Sequence, residues 1–266
     1  MQTSPVSVRE AGAEVTVFSS FFPVPGYGVL PINAFLLHAE QPVLVDTGPV
    51  LWGAEYFDAL RRRIDLSTLR WIFLTHGDPD HVGCLRRLLD AAPQARLVTT
   101  FIGLGKLALS APVPLERVYL LNPGQELDVG DRQLLALRPP SFDAPETCAL
   151  YDRRERMLFS SDCFGALLAE PVEAAEEIDA SALRDGQRLW ATVDAPWLAS
   201  VRPDAYEDAV NALRGLGPEL VLSSHLPPAS GIVDALFSNL WEARTAPTFV
   251  GPDQAALLAQ AGRAEP

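Results

Sequence analysis

Four side chains able to bind a metal ion fall within six residues: His76, Asp78, Asp80 and His81, in the stretch Leu74-Thr75-His76-Gly77-Asp78-Pro79-Asp80-His81-Val82-Gly83. Gly77 and Pro79 restrict the backbone between them and help to aim the side chains inward. An acidic turn ahead of a helix, with Asp78 or Asp80 as its cap, would account for one aspartate. It leaves the second aspartate and both histidines unexplained, so metal binding is the stronger reading.

The elements around this stretch decide where it points. Trp71-Ile72-Phe73-Leu74 is an apolar run that reads as a buried strand, and Cys84-Leu85-Arg86-Arg87-Leu88-Leu89 has helical spacing. The ligands therefore sit at the C-terminal end of a strand, where open α/β sheets place their crevices. The same arrangement recurs. Val43-Leu44-Val45 runs into Asp46-Thr47-Gly48, Met157-Leu158-Phe159 into Ser160-Ser161-Asp162, and Leu220-Val221-Leu222 into Ser223-Ser224-His225. Asp46 reads either as turn chemistry or as an acceptor that fixes the tautomer of a ligand histidine, and the second role is favoured. His38 has no partner motif and reads as a strand or surface histidine.

Composition narrows the field. The chain of 266 residues is 48% hydrophobic, enough for a sizeable core, and is expected to form one domain over 1–266 with residues 1–12 frayed. A net charge of −13 argues against a nucleic-acid partner. No apolar run is long enough to span a bilayer, and the N-terminus lacks the pattern of a secretory signal. Cys84, Cys148 and Cys163 are widely spaced and odd in number, which predicts reduced buried thiols in a cytoplasm. Gly103 and Gly105 are not followed by a GK[ST] sequence, and no flavin or nucleotide loop is visible.

Along the chain, the patterning predicts a hairpin from Ile32–His38 and Pro42–Asp46, and a helix over 52–64. Further elements expected are a strand at Ala95–Thr99, a helix at Phe101–Leu109, and strands at Arg117–Leu120 and Gln133–Leu137. A second hairpin joins Cys148–Tyr151 to Met157–Ser160. Residues 166–188 read as an acidic loop or lid with short helical pieces, the lid as a whole extending to residue 200. Pro203–Leu216 reads as a helix, and one or two helices close the chain after residue 230.

Thr75-His76 followed by Asp80-His81 before a helix resembles the metal-binding loop of the metallo-β-lactamase fold. That family commonly reads His-x-His-x-Asp-His; here Asp78 stands in place of the second histidine. Flavodiiron proteins and stand-alone oxygen-binding diiron proteins carry a carboxylate there, so the resemblance points to that subgroup. It implies a four-layer αβ/βα sandwich. On the loop Arg138-Pro139-Pro140-Ser141-Phe142-Asp143-Ala144-Pro145-Glu146, the subgroup's His-Trp-Pro-Asp pattern puts Asp143 in the histidine position, with Glu146 as competitor. Asp162-Cys163-Phe164-Gly165 is similar to the stretch whose aspartate bridges both metals, and Ser224-His225 to the last metal histidine. The segment from Trp190 to Trp197 resembles the region over the pocket, although core packing explains both tryptophans about as well.

Carried over residue by residue, the resemblance implies two metal ions. Metal one would take His76, Asp78, Asp143 and bridging Asp162. Metal two would take Asp80, Asp162, His225 and, with its role open, His81, a ligand in the hydrolases but commonly turned away in flavodiiron proteins. Four carboxylates favour iron, with manganese or zinc as alternatives. They also cancel the charge of two divalent ions, which weakens the drive to deprotonate bound water. The expectation is a diiron protein that binds or reduces O2 or a related small oxidant with an external electron donor. A hydrolase of a small ester, lactone or thioester and a non-catalytic domain with a weakened site are the alternatives. A homo-oligomer is compatible with the sequence.

Overall fold

The computed structural model describes residues 4–261. Its first half contains β1 (Ser7–Ala11), β2 (Val15–Val24), β3 (Gly28–Leu37), β4 (Val43–Val45), α1 (Gly53–Arg61), β5 (Trp71–Phe73), α2 (Pro79–Val82), α3 (Leu85–Ala91), β6 (Arg96–Thr99), α4 (Phe101–Ser110) and β7 (Val118–Leu120). Its second half contains β8 (Glu126–Asp128), β9 (Gln133–Leu137), β10 (Ala149–Asp152), β11 (Met157–Phe159), α5 (Ala180–Asp194), α6 (Pro203–Gly215), β12 (Leu220–Leu222), α7 (Val233–Ala243) and α8 (Gln254–Ala261). The first seven strands form one sheet in chain order, and the other five form a second sheet in the order β12-β11-β10-β9-β8.

Side-chain alternation builds the layers. Along β3, Phe35 and Leu37 point between the sheets, while Ala34 and Leu36 point to the outer face. In β11, Met157 and Phe159 meet them from the opposite sheet, and Leu158 faces outward. This is the period of two that a strand buried on both faces requires. The outer face of the first sheet packs on Tyr56, Phe57, Leu85 and Leu88 of α1 and α3. The outer face of the second packs on Leu183, Tyr206, Leu213 and Phe237 of α5, α6 and α7. The result is the four-layer αβ/βα sandwich.

Several elements differ from the sequence reading. Residues 7–11, inside the stretch expected to fray, pair with β2 from Ser7↔Ser19 to Ala11↔Val15, whereas residues 1–3 lie outside the described residues. The helix expected over 52–64 is a 3-10 turn at Val50–Trp52 followed by α1. The segment read as a lid is mostly ordered helix. Asp179 caps α5 by accepting from the backbone N–H groups of Ser181 and Ala182, and the helix runs through Gly186 to Asp194. Gly186 is not a break there, because a Cβ would lie 2.3 Å from the Leu167 carbonyl oxygen; the helix passes close to the chain at that point. Among the described residues, no helix is long and apolar enough to cross a membrane.

Candidate metal centre

β4, β5, β11 and β12 are parallel where they pair as neighbours, so their C-terminal ends share one edge of each sheet. The two sheets bring these edges together. Asp46 follows β4, His76 follows β5, Asp162 follows β11 and His225 follows β12; the loop after β9 delivers Asp143. Asp80 and His81 lie on α2, with Asp78 at its N-cap and Pro79 as first helical residue. The Asp78 side chain makes no capping hydrogen bond, so capping is not its role here.

Asp162 is central. Its Oδ2 lies 3.5 Å from His76 Nε2, and its Oδ1 lies 3.2 Å from His81 Nε2 and 3.4 Å from His225 Nε2. One carboxylate thus faces two separate groups of nitrogen donors. Asp80 Oδ2 is 3.5 Å from His81 Nε2 and 3.4 Å from His225 Nε2. Asp143 Oδ1 is 3.9 Å from His76 Nε2. Candidate ligand atoms of His76, Asp78 and Asp143 lie within 4.8 Å of one another, as do those of Asp80, His81 and His225.

The other ring nitrogens are held from behind. Asp46 Oδ2 accepts from His81 Nδ1 at 2.8 Å, and the same carboxylate accepts from the Thr75 backbone N–H and hydroxyl, each at 2.8 Å. An ionised carboxylate can only accept, so Nδ1 of His81 carries a proton and Nε2 is the nitrogen turned to the cluster. His225 Nδ1 donates to the Pro31 carbonyl at 2.7 Å. Asn33 Nδ2 reinforces that loop by donating to the carbonyls of Ser223 and Leu226 at 2.9 and 2.8 Å. His76 Nδ1 has the Thr75 and Ser161 hydroxyls at 3.2 and 3.3 Å. Asp46 and Ser161 both adopt positive φ, of 59° and 57°. Such strain at non-glycine residues is held by the surrounding bonds and concentrates at functional sites.

His76 Nε2, His81 Nε2 and Asp162 Oδ1 are buried without hydrogen-bond partners. Orphaned buried polar atoms are costly, and a cation among them would satisfy all three, so these residues fit a metal centre. Electrostatics agree. Burial opposes charge on the Asp162 carboxyl, but His76, His81 and His225 outweigh it and hold the group far below its usual range. Burial likewise opposes protonation of His81, yet Asp80, Asp162 and Asp46 raise its pKa well above the ordinary value. Asp143 is shifted upward by burial, against the pull of His76 and with help from Asp162 and Asp78.

The other candidates separate. Glu146 is buried beside Gly77 and pairs with Lys106 at 2.6 Å, and it is not among the groups of candidate ligand atoms. Lys106 is the one lysine of the chain. The Trp190 ring lies 4.7 Å from that of His225, tilted by 58°, and its Nε1–H donates to the Asp162 carbonyl, which places Trp190 beside the cluster. Trp197 instead donates to the Phe142 carbonyl and lies against that ring, 5.1 Å away, steadying the Asp143 loop from behind. His38 is exposed at the other end of β3, 2.8 Å from Thr16 Oγ1. Cys84, Cys148 and Cys163 are free and buried, with thiols pushed up to about 11, 12 and 12 by burial. The sequence reading did not single out Asp194, whose carboxylate groups with those of Asp143 and Asp162. The signal was the helical spacing Leu183, Gln187, Ala191, Asp194, which puts Asp194 on the buried face of α5.

A two-sheet αβ/βα sandwich with histidines and aspartates gathered on one edge defines a metallo-β-lactamase-type fold of the flavodiiron-core kind. The family model described as "ODP family beta lactamase" matches residues 30–225, and the chain belongs to that family. It is 28% identical over 177 residues to an anaerobic nitric oxide reductase flavorubredoxin of Klebsiella pneumoniae, covering 66% of this chain and 37% of that protein. It is 27% identical over 203 residues to an uncharacterised protein of Methanocaldococcus jannaschii, covering 75% of this chain and 50% of the other. The chain thus spans half or less of the length of these curated relatives. Among solved structures, it superposes on rubredoxin oxygen:oxidoreductase from Desulfovibrio gigas with a TM-score of 0.79 at 20% identity, covering 91% of this chain and 63% of that one. The flavodiiron core of Flv1 from Synechocystis gives 0.75 at 20% identity, with 92% and 62% covered.

Proposed function

We propose that this chain is a dinuclear iron protein that binds or reduces O2 or a related small oxidant such as nitric oxide, with electrons from a separate donor. The observation that carries the reading is Asp162, whose two oxygens face different imidazole groups as a bridge between two ions would. His76, Asp78 and Asp143 would hold one ion with it; Asp80, His81 and His225 would hold the other. Bound there, iron would supply one-electron redox chemistry toward a small oxidant. The carboxylate-rich set supports a hard ion that reaches the trivalent state.

The residues of the chain do the rest. Asp46 and the Pro31 carbonyl lock the tautomers of His81 and His225. Trp190 covers His225 and excludes water from that side. The side chains of Asp80 and Asp143 are 28% and 27% exposed, against 0 to 2% for the three histidines, so a small ligand approaches over the carboxylates. Relatedness to nitric oxide reductase flavorubredoxins supports a diatomic substrate.

A second reading, hydrolysis of a small ester, lactone or thioester, is favoured by one observation: His81 is turned into the cluster rather than away from it. Iron-loaded, chemically reduced protein mixed with O2 or nitric oxide separates the two. A spectral change with consumption of the gas supports the diiron reading. Absence of any change, together with ester turnover that disappears in His81→Ala, would replace it with the hydrolase.

A further inference from the structure

Asp194 is the last residue of α5, 8% exposed, and its Oδ2 is buried with no hydrogen-bond partner. Among the described residues its side chain forms no ion pair. It faces the carboxylates of Asp143 and Asp162, with one oxygen of each within 4.8 Å of the others. Three features make this placement costly without a cation. The carboxylate is out of water, it confronts two like charges, and it stands at the C-terminal end of a 15-residue helix, where the partial charge of the backbone is negative. Burial and the neighbouring Asp162 and Asp143 raise its pKa well above the ordinary value. The arrangement is not a solvated acidic patch, because Asp162 and Asp194 are both buried and Asp194 Oδ2 is out of water without a hydrogen-bond partner.

We propose that Asp194 is a further metal ligand, completing the position formed by His76, Asp78, Asp143 and Asp162. The inference rests on the dinuclear reading above. It makes the two positions chemically unequal. The first then has one imidazole and four carboxylates; the second has the imidazoles of His81 and His225 with Asp80 and Asp162. Oxygen-rich coordination suits a hard ion such as high-spin iron or manganese, whereas the second position is the more tolerant of softer divalent ions. The helix end that carries Asp194 is also fixed to the rest of the centre: Trp190, one turn earlier, donates to the Asp162 carbonyl.

The test uses Asp194→Asn, which keeps the shape, and Asp194→Leu, which removes the polar group. Anaerobic Fe(II) and Mn(II) titrations are followed by metal analysis after dialysis, by Mössbauer spectra of protein loaded with iron-57, and by melting temperature with and without metal. The expected result is two ions in the wild type and at least a roughly tenfold loss of affinity at one position in both variants. The spectral component of that position changes and the other is retained. Metal-free Asp194→Leu melts above the metal-free wild type, because a buried carboxylate facing two others has been removed, and it gains less on metal addition. Two ions held with unchanged affinity and unchanged spectra in both variants would overturn the assignment. So would an equal loss at both positions with lowered metal-free stability, which would make Asp194 a structural residue. A wild type that binds fewer than two ions defeats the dinuclear reading itself, an outcome separate from either.

Discussion

Asp46 shows how much one residue does behind the proposed ligands. It accepts from the Thr75 N–H, the Thr75 hydroxyl and His81 Nδ1 while adopting a φ of 59°. Asn tolerates that backbone region and nearly matches the shape of Asp. Asp46→Asn therefore isolates the charge and the acceptor set. Its amide can present a donor toward His81, which disturbs the tautomer. We expect metal affinity at the His81–His225 position to fall by about 10- to 100-fold, read by competition with a chelator, while the circular dichroism spectrum is preserved. Unchanged affinity would show that Asp46 only supports the loop. A second expectation concerns protons. Carboxylates keep His81 protonated above its ordinary range when no metal is present, and ligation requires the neutral ring. Metal binding should then release protons, and affinity should keep rising as pH increases above the ordinary imidazole range. Calorimetry in buffers of different ionisation enthalpy measures the release; a pH-independent affinity would contradict it.

The elements that carry the centre divide into those written plainly in the sequence and those that were not. Each ligand loop follows a short apolar run and is punctuated by Gly, Pro or Ser, so Asp46, the 76–81 stretch, Asp162 and His225 could be located from patterning alone. Asp143 needed the family resemblance, because its loop is irregular. Asp194 escaped because α5 begins in an acidic, alanine-rich stretch and contains Gly186, which together read as loop; its buried face is visible only when Leu183, Gln187, Ala191 and Asp194 are counted on one stripe. β1 and β8 were missed because strands of five and three residues at sheet edges have little apolar signal. The junction of α5 with the centre is also tightly fitted. A Cβ on Gly165 would lie 2.4 Å from Trp190 Nε1 and 2.8 Å from His225 Cβ. Gly165→Ala should cost about 1–3 kcal/mol of stability and weaken metal binding by displacing both rings. A melting curve and a metal titration unchanged from the wild type would show that α5 has room to move.

On the scale of the molecule, the chemistry gathers at one end of the two sheets and a charge clamp holds the other. Arg132, just before β9, binds Asp152 at 3.0 Å and Asp131 at 2.6 Å and also reaches Glu14 in the turn before β2, so it ties the second sheet to the first. Its side chain is 3% exposed and that of Asp152 is 0%. Removing the guanidinium leaves Asp152 buried and unpaired, so Arg132→Met should cost about 3–5 kcal/mol in denaturant unfolding. The clamp also predicts an acid limb. The hydrogen bond from Arg132 holds Asp131 down at about 2 and lowers Glu14 as well. Both folded values lie below the unfolded ones, so their contribution is present above about pH 4 and is lost as pH falls toward 2. The acid limb of a stability–pH profile should flatten in Arg132→Met; an unchanged limb would place acid sensitivity elsewhere. The sandwich was legible through the family resemblance of the metal loop, and the succession of strand–loop repeats, hairpins and helices agrees with it. The clamp was not, because it joins residues 14, 131, 132 and 152 that no local pattern connects.

The central claim is that Asp162 bridges two ions. Elemental analysis of iron-loaded protein, combined with an anomalous-scattering map at the iron edge, tests it most directly. The account predicts two iron peaks per chain. One should lie among His76, Asp78, Asp143 and Asp162, the other among Asp80, His81, His225 and Asp162, with the Asp162 carboxylate touching both. A single peak, or none in protein that is otherwise folded, would contradict it.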